Sequence, residues 1–93
     1  MEPNGSIEME LKYKPLKRIS PEEIRERFSS LVKQVRFVKA AAYKNLYDGK
    51  MVILKKPSWF VVIEIDFPIP PEKRDIYQQF KEFARKVFVP VSI

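Results

Sequence analysis

An α+β fold is predicted for this chain. The expected architecture is a two-layer sandwich: a mainly antiparallel sheet of three to four strands with two helices on one face, in the order β-α-β-β-β-α. Three observations predict it. Residues Ile7 to Tyr13 alternate apolar and charged, two separate stretches carry apolar residues at helical spacing, and turn signals punctuate the β-branched segment between those stretches.

The first strand rests on Ile7, Met9, Leu11 and Tyr13, which alternate with Glu8, Glu10, Lys12 and Lys14. Period two with one apolar face is the pattern of a half-buried strand. Pro15 ends it or confines it to an edge. Residues 1–6 read as a flexible leader, and 7–93 as a single domain.

Ser20-Pro21-Glu22-Glu23 opens the first helix. The Ser20 hydroxyl can accept from the Glu23 amide, the Glu23 carboxylate can reach back to the Ser20 amide, and Pro21 stands where a missing N–H costs nothing. Ile24, Phe28, Leu31, Val32 and Val35 follow on one face, so the helix is predicted over 21–34. The β-branched and aromatic run from Val35 to Val38 favours a strand from there on.

Asp48-Gly49 predicts a two-residue hairpin, and Lys56-Pro57-Ser58-Trp59 a second reversal. Residues 37–67 then form a three-stranded meander. Pro68, Pro70 and Pro71 stop the sheet, and Pro71-Glu72 starts a second helix with Ile76, Phe80, Phe83, Ala84 and Val87 as its buried stripe. Val89 to Ile93 is an apolar extended tail, which folds back on its own domain or adds to an exposed sheet edge.

With two reversals, Tyr43, Val52, Leu54, Trp59, Val61, Ile63 and Ile65 share the face that the helices cover. The opposite face carries Leu46, Met51, Ile53, Phe60 and Val62, ringed by Lys44, Lys55, Glu64 and Asp66. One layer of helices cannot cover both faces, so this second set is predicted to be exposed and to form a partner interface, with another protein or a second copy. A folded-over N-terminal segment is the plainer way to cover it.

Composition narrows the chemistry. The 93 residues include no Cys and no His, which removes disulfides, thiolate metal sites, the commonest zinc ligand and the commonest general base. Ser29 and Ser30 have no His to activate them, and the only glycines, Gly5 and Gly49, form no phosphate loop. Glu64 and Asp66 alternate on one strand; they could hold a divalent metal or act as acid and base, but solvated side chains are the plainer reading. No catalytic residue, metal or cofactor is expected. Thr is absent, Asn is confined to positions 4 and 45, and Glu, Lys and Pro are abundant, a usage like that of hyperthermophile proteins. The longest apolar run, Trp59–Ile63, is too short to cross a bilayer, and the N-terminus lacks a signal-peptide pattern, so a cytoplasmic location is expected.

The net charge of +6 is concentrated. Residues 1–32 and 57–93 are each neutral, whereas 33–56 hold seven basic residues against Asp48 alone. Arg36, Lys39, Lys44, Lys50, Lys55 and Lys56 are therefore the candidate nucleic-acid contacts, since cationic side chains release counterions from phosphates and nearby aromatics can stack on bases. The plainer reading is that these lysines keep strands soluble and unpaired at their edges.

Helix, three strands and helix is an order that resembles double-stranded-RNA-binding domains. In those domains the last helix starts with a basic, Gly- and Ala-rich stretch, and here Pro70-Pro71-Glu72-Lys73-Arg74-Asp75 stands there instead. Ile7-Glu8-Met9-Glu10-Leu11 and Asp48-Gly49-Lys50-Met51-Val52-Ile53-Leu54 are similar to stretches of the small dimerising subunit of the archaeal KEOPS tRNA-modification complex, from which this sequence departs by an extra strand. Neither resemblance assigns the chain to a family. The functional expectation is a small basic nucleic-acid-binding protein acting through 33–56. The alternative is a non-catalytic accessory subunit or homodimer, for example within an archaeal nucleic-acid-processing or tRNA-modifying complex.

Overall fold

A computed structural model describes residues 6–93. The expected leader at 1–6 lies, except for Ser6, outside the described residues. The elements are β1 (Ile7–Pro15), α1 (Pro21–Arg27), β2 (Val32–Asn45), β3 (Met51–Phe67), a single 3-10 turn (Pro71–Lys73), α2 (Arg74–Val87) and β4 (Phe88–Ser92). Every strand pairing is antiparallel. This is the predicted α+β class: a four-stranded antiparallel sheet and two helices.

The strands are ordered β1-β3-β2-β4, with β4 meeting β1 again, so the sheet closes on itself. β1, which the sequence leaves unplaced, pairs along β3 from Ile7↔Phe67 to Tyr13↔Val61. The C-terminal tail is the closing piece. Its Phe88–Pro90 segment pairs with Tyr13–Pro15 of β1, and Val91 and Ser92 pair with Asn45 and Lys44 of β2.

α1 begins as its capping signal predicts. The Ser20 hydroxyl accepts from the Glu23 amide at 3.2 Å, with Pro21 in the first turn. The reciprocal half differs: the Ser20 hydroxyl donates to the Glu22 carboxylate at 3.2 Å. The helix is only seven residues long and not the fourteen of 21–34. Phe28 leaves helical geometry at φ −124°, and strand pairing starts at Val32. The β-branched residues Val32, Val35 and Val38 gain more from the sheet ladder than from a helix that costs them side-chain freedom.

The second predicted reversal does not form. Lys56-Pro57-Ser58-Trp59 lies within β3, which runs unbroken for 17 residues. Ala40 pairs with Ser58 and Ala42 with Ile53, so Leu54, Lys55, Lys56 and Pro57 stand against Ala41 alone. That is an enlarged β-bulge, and a bulge tolerates a proline because the extra residues need no ladder partner. The three expected strands of the meander thus become β2 and two segments of β3 joined through the bulge. The helix–three-strand–helix order behind the resemblance to double-stranded-RNA-binding domains is not adopted.

The first reversal does form, with a longer loop. Leu46–Lys50 connects the strands, and Gly49 takes φ +73°. The Asn45 side chain accepts from the Tyr47 amide at 2.8 Å, and Asp48 accepts from the Lys50 amide at 2.9 Å. These short polar side chains mimic backbone turns, and glycine supplies the left-handed residue. Tyr43 consequently faces Val52, whereas a two-residue turn would have set it opposite Leu54. The shift is two residues, an even number, so Tyr43, Val52 and Leu54 still share one face, although it is not the helix-covered face expected of them.

Two cores result, one on each side of β3. The larger packs α1 and α2 against Val35, Val61, Ile63 and Ile65, with Phe28, Phe80, Phe83 and Phe88 interlocked edge to face. Both helices therefore lie on one face, as predicted. The smaller core holds Tyr43, Phe60 and Val91, with Val38, Val52, Leu54 and Val89 around them. The expectation that Phe60 and Val62 are exposed is thereby corrected: both are buried. The bulge and the returning β4 curl the chain over the face that the helices leave open. Tyr43, Val52 and Leu54, expected under the helices, belong to this second core.

Candidate nucleic-acid interface

The charged groups of the sheet separate along its length. At the end far from the hairpin loop, Glu8 pairs with Asp66 and Glu10 with Glu64 across β1 and β3. Lys33 bridges Glu8 at 3.0 Å and Asp66 at 3.6 Å, and the Arg36 guanidinium donates to Glu10. Lys33 holds the Glu8 carboxyl below its ordinary range by hydrogen bond and charge. Glu64 lies beside Glu8 and is pushed up, first by their mutual hydrogen bond, then by desolvation and the charges of Glu8 and Glu10. Asp66 is therefore a member of an ion-pair lattice, and Glu64 lies against its carboxylates. Among the described residues, no group of three His, Cys, Asp or Glu side chains is placed to hold a metal ion.

Arg36 belongs to this lattice, so its charge is already matched. The other five predicted contacts differ. Lys39, Lys44, Lys50, Lys55 and Lys56 are exposed, and none forms an ion pair with a described residue. Lys44 is in the last turn of pleating before the loop, Lys50 closes the loop, and Lys55 and Lys56 are pushed outward by the bulge. The sequence folds locally so that paired carboxylates collect at one end and unmatched lysines at the other.

The exposed apolar groups sit on the helix side of the sheet, not on the side predicted. Val35, Phe37 and Lys39 alternate along β2, and Val61 and Trp59 continue the same face of β3 through the pairs Phe37↔Val61 and Lys39↔Trp59. α1 and α2 cover Val35 and Val61 but stop short of Phe37 and Trp59. Trp59, expected in the core, is 56 % exposed, with the Lys39 ammonium 5.0 Å from its ring centroid. Beyond the bulge, Met51 and Ile53 point away from the second core, and Ile53 is 83 % exposed.

The segment linking β1 to α1 crosses beside Trp59. Pro15, Lys17, Arg18 and Ile19 from this segment, with Phe37 and Trp59 from the sheet, line a cleft of ≈ 410 Å³. Its floor is aromatic and its rim cationic, and no lining residue is acidic. Such a surface can stack a planar ring and hold an anion beside it.

Lys17, Arg18, Phe37 and Trp59 were missed as site residues by sequence reasoning. Lys17 and Arg18 fall in a segment whose summed charge is zero, so counting charge along the chain does not single them out. Trp59 was assigned to the core through the second reversal. The adjacent basic pair directly after Pro15 was the available signal. Of the predicted partner-interface set, Leu46, Met51 and Ile53 are exposed near the hairpin loop, while Phe60 and Val62 are interior. Compared with family models, with curated proteins and with solved structures, the chain matches none.

Proposed function

We propose that this protein binds nucleic acid without catalysing a reaction, through the lysines of the β2–β3 hairpin. One observation carries the reading: Lys39, Lys44, Lys50, Lys55 and Lys56 are unmatched by any described carboxylate, while the acids of the sheet are gathered with Lys33 and Arg36 at the opposite end. Unmatched cations on a projecting element attract a polyanion and gain entropy from the counterions it releases. The molecule is elongated, measuring 47 × 25 × 21 Å. The absence of His and Cys from the chain also favours binding over catalysis. No helix of the described residues is long and apolar enough to cross a membrane, and a cytoplasmic setting, where nucleic acids are met, fits the reading.

Fluorescence anisotropy with a labelled duplex tests it. Binding should weaken with added salt on a log–log slope of about −0.9 per phosphate contact. An absence of binding at low salt rejects the proposal.

A second reading is favoured by the exposed side chains near the loop. Leu46, Met51 and Ile53 offer an apolar surface to a protein partner or a second copy, in the manner of an accessory subunit. Light scattering at high protein concentration distinguishes the homodimer form of this reading.

A further inference from the structure

Within that nucleic-acid reading, on which this inference rests, we propose that the cleft beside Trp59 is a stacking site for an unpaired base of a single-stranded nucleic acid. Trp59 and Phe37 form the floor, and Lys17, Arg18 and Lys39 hold the flanking phosphates.

Three independent features converge on this occupant. The first is exposure. Trp59 is more than half exposed although the next four residues of β3, Phe60 to Ile63, are all buried. The second is geometry. Phe37 and Trp59 are diagonal neighbours on adjacent strands, a spacing of about 7–8 Å that lets two rings contribute to one surface. The cleft volume of ≈ 410 Å³ falls within the range of about 300–1,000 Å³ typical of small-molecule sites.

The third feature is charge. Lys17 and Arg18 rim the cleft from the linking segment, and Lys39 approaches from the sheet over the Trp59 ring. An uncharged aromatic ligand would leave these three cations without purpose. An anion without a ring would leave the aromatic floor without one. A nucleotide within a strand satisfies both. Base pairing in a duplex hides the ring faces, so the strand must be single there. The hairpin lysines then continue the phosphate track away from the cleft.

Trp59 is the sole tryptophan of the chain, so its emission reports on the cleft directly. The test titrates the intact protein with a single-stranded oligonucleotide, and with a strand of equal length made of abasic residues, which keeps the phosphates and lacks the bases. RNA and DNA versions of the single strand show whether the sugar matters. The normal strand should quench Trp59 emission. The abasic strand should bind roughly 5- to 150-fold more weakly, the loss that corresponds to one stacked base. Trp59→Ala should reduce anisotropy-measured affinity for the normal strand by a similar factor, with Trp59→Phe restoring most of it. Because the side chain is exposed, both variants should keep the parent's circular dichroism.

Equal binding of normal and abasic strands overturns the stacking site and leaves the phosphate-binding reading standing. Failure of both strands and of duplex to bind at low salt overturns the two together. Quenching that persists after Lys17 and Arg18 are both changed to Ala, at unchanged affinity, removes the assignment of the phosphates to that rim.

Discussion

Phe60 and Val61 are consecutive in β3, both fully shielded from solvent, and packed into different cores. Phe60 meets Tyr43 at a ring-centroid distance of 5.3 Å on one side of the strand. Val61 joins the helices on the other. A strand can be buried on both faces only if something covers each face. Here the two helices cover one, and the curled hairpin with β4 covers the other. The hairpin lysines and the Trp59 cleft owe their exposure to this division, because neither covering layer extends over them.

The smaller core should be as structural as the larger. Phe60→Ala is expected to cost about 3–5 kcal/mol and Ile63→Ala about 2–5 kcal/mol, through lost contacts and the cavities left behind. Urea unfolding measures both. A cost for Phe60→Ala below about 1 kcal/mol would show that the second core contributes little to the fold.

Met51 and Ile53 should be thermodynamically silent in the monomer. Changing each to Lys is expected to shift stability by no more than about 0.5 kcal/mol, since both side chains already face water. If the accessory-subunit reading holds, the same substitutions abolish self-association or partner capture by the purified protein. Light scattering before and after the change is the measurement.

Phosphate contacts should be countable. Replacing Lys44, Lys50 or Lys55 with Ala should each flatten the log–log salt dependence of duplex binding by about 0.9 and weaken binding alike for all sequences. Arg36→Ala should leave that slope unchanged, because Arg36 is engaged with Glu10. A slope that responds to Arg36 and not to the lysines would relocate the interface to the ion-pair lattice.

Tyr13 predicts the alkaline limit of the fold. Burial beside Phe80 and Phe88 pushes its phenol up to about 12, with smaller contributions from Tyr77 and Tyr47. The folded pKa is raised, so the protein favours the neutral phenol. The resulting stability is complete below about 10 and is lost as pH rises through about 12. Ultraviolet titration should reveal a late phenolate that disappears in Tyr13→Phe, and that variant should resist alkaline unfolding better than the parent.

Glu64 predicts the opposite end. Its carboxyl is raised above 4.5 by Glu8, desolvation and Glu10, and Arg36 offsets only part of this. Stability linked to this group is present below its unfolded pKa and lost as pH rises through the folded value. Glu64→Gln should therefore raise Tm at neutral pH, with the advantage shrinking in acid. Thermal melts across that range check it, and a lower Tm at neutral pH would contradict the sign.

Particular residues show what was legible in advance. The alternation of Ile7 to Lys14, the Ser20 cap, the Asp48-Gly49 reversal and the stripe from Ile76 to Val87 are short-range signals, and each appears where predicted. Pro57-Ser58 misled because the residues that favour a turn also favour a bulge, and local chemistry does not distinguish them. The uninterrupted apolar run Trp59–Ile63 did carry the missing information. A half-buried strand alternates, whereas one buried on both faces need not, and four of those five residues prove to be interior.

The amino-acid order by itself determined the α+β class, the helix start, the hairpin and the concentration of charge in 33–56, because each depends on neighbours within a few positions. Only the tertiary structure decided that β4 closes the sheet, that Phe60 is inside and Trp59 outside, and that Lys17 and Arg18 stand beside an aromatic floor. Those outcomes depend on which distant segments cover a surface, and coverage follows from long-range packing that no local pattern encodes.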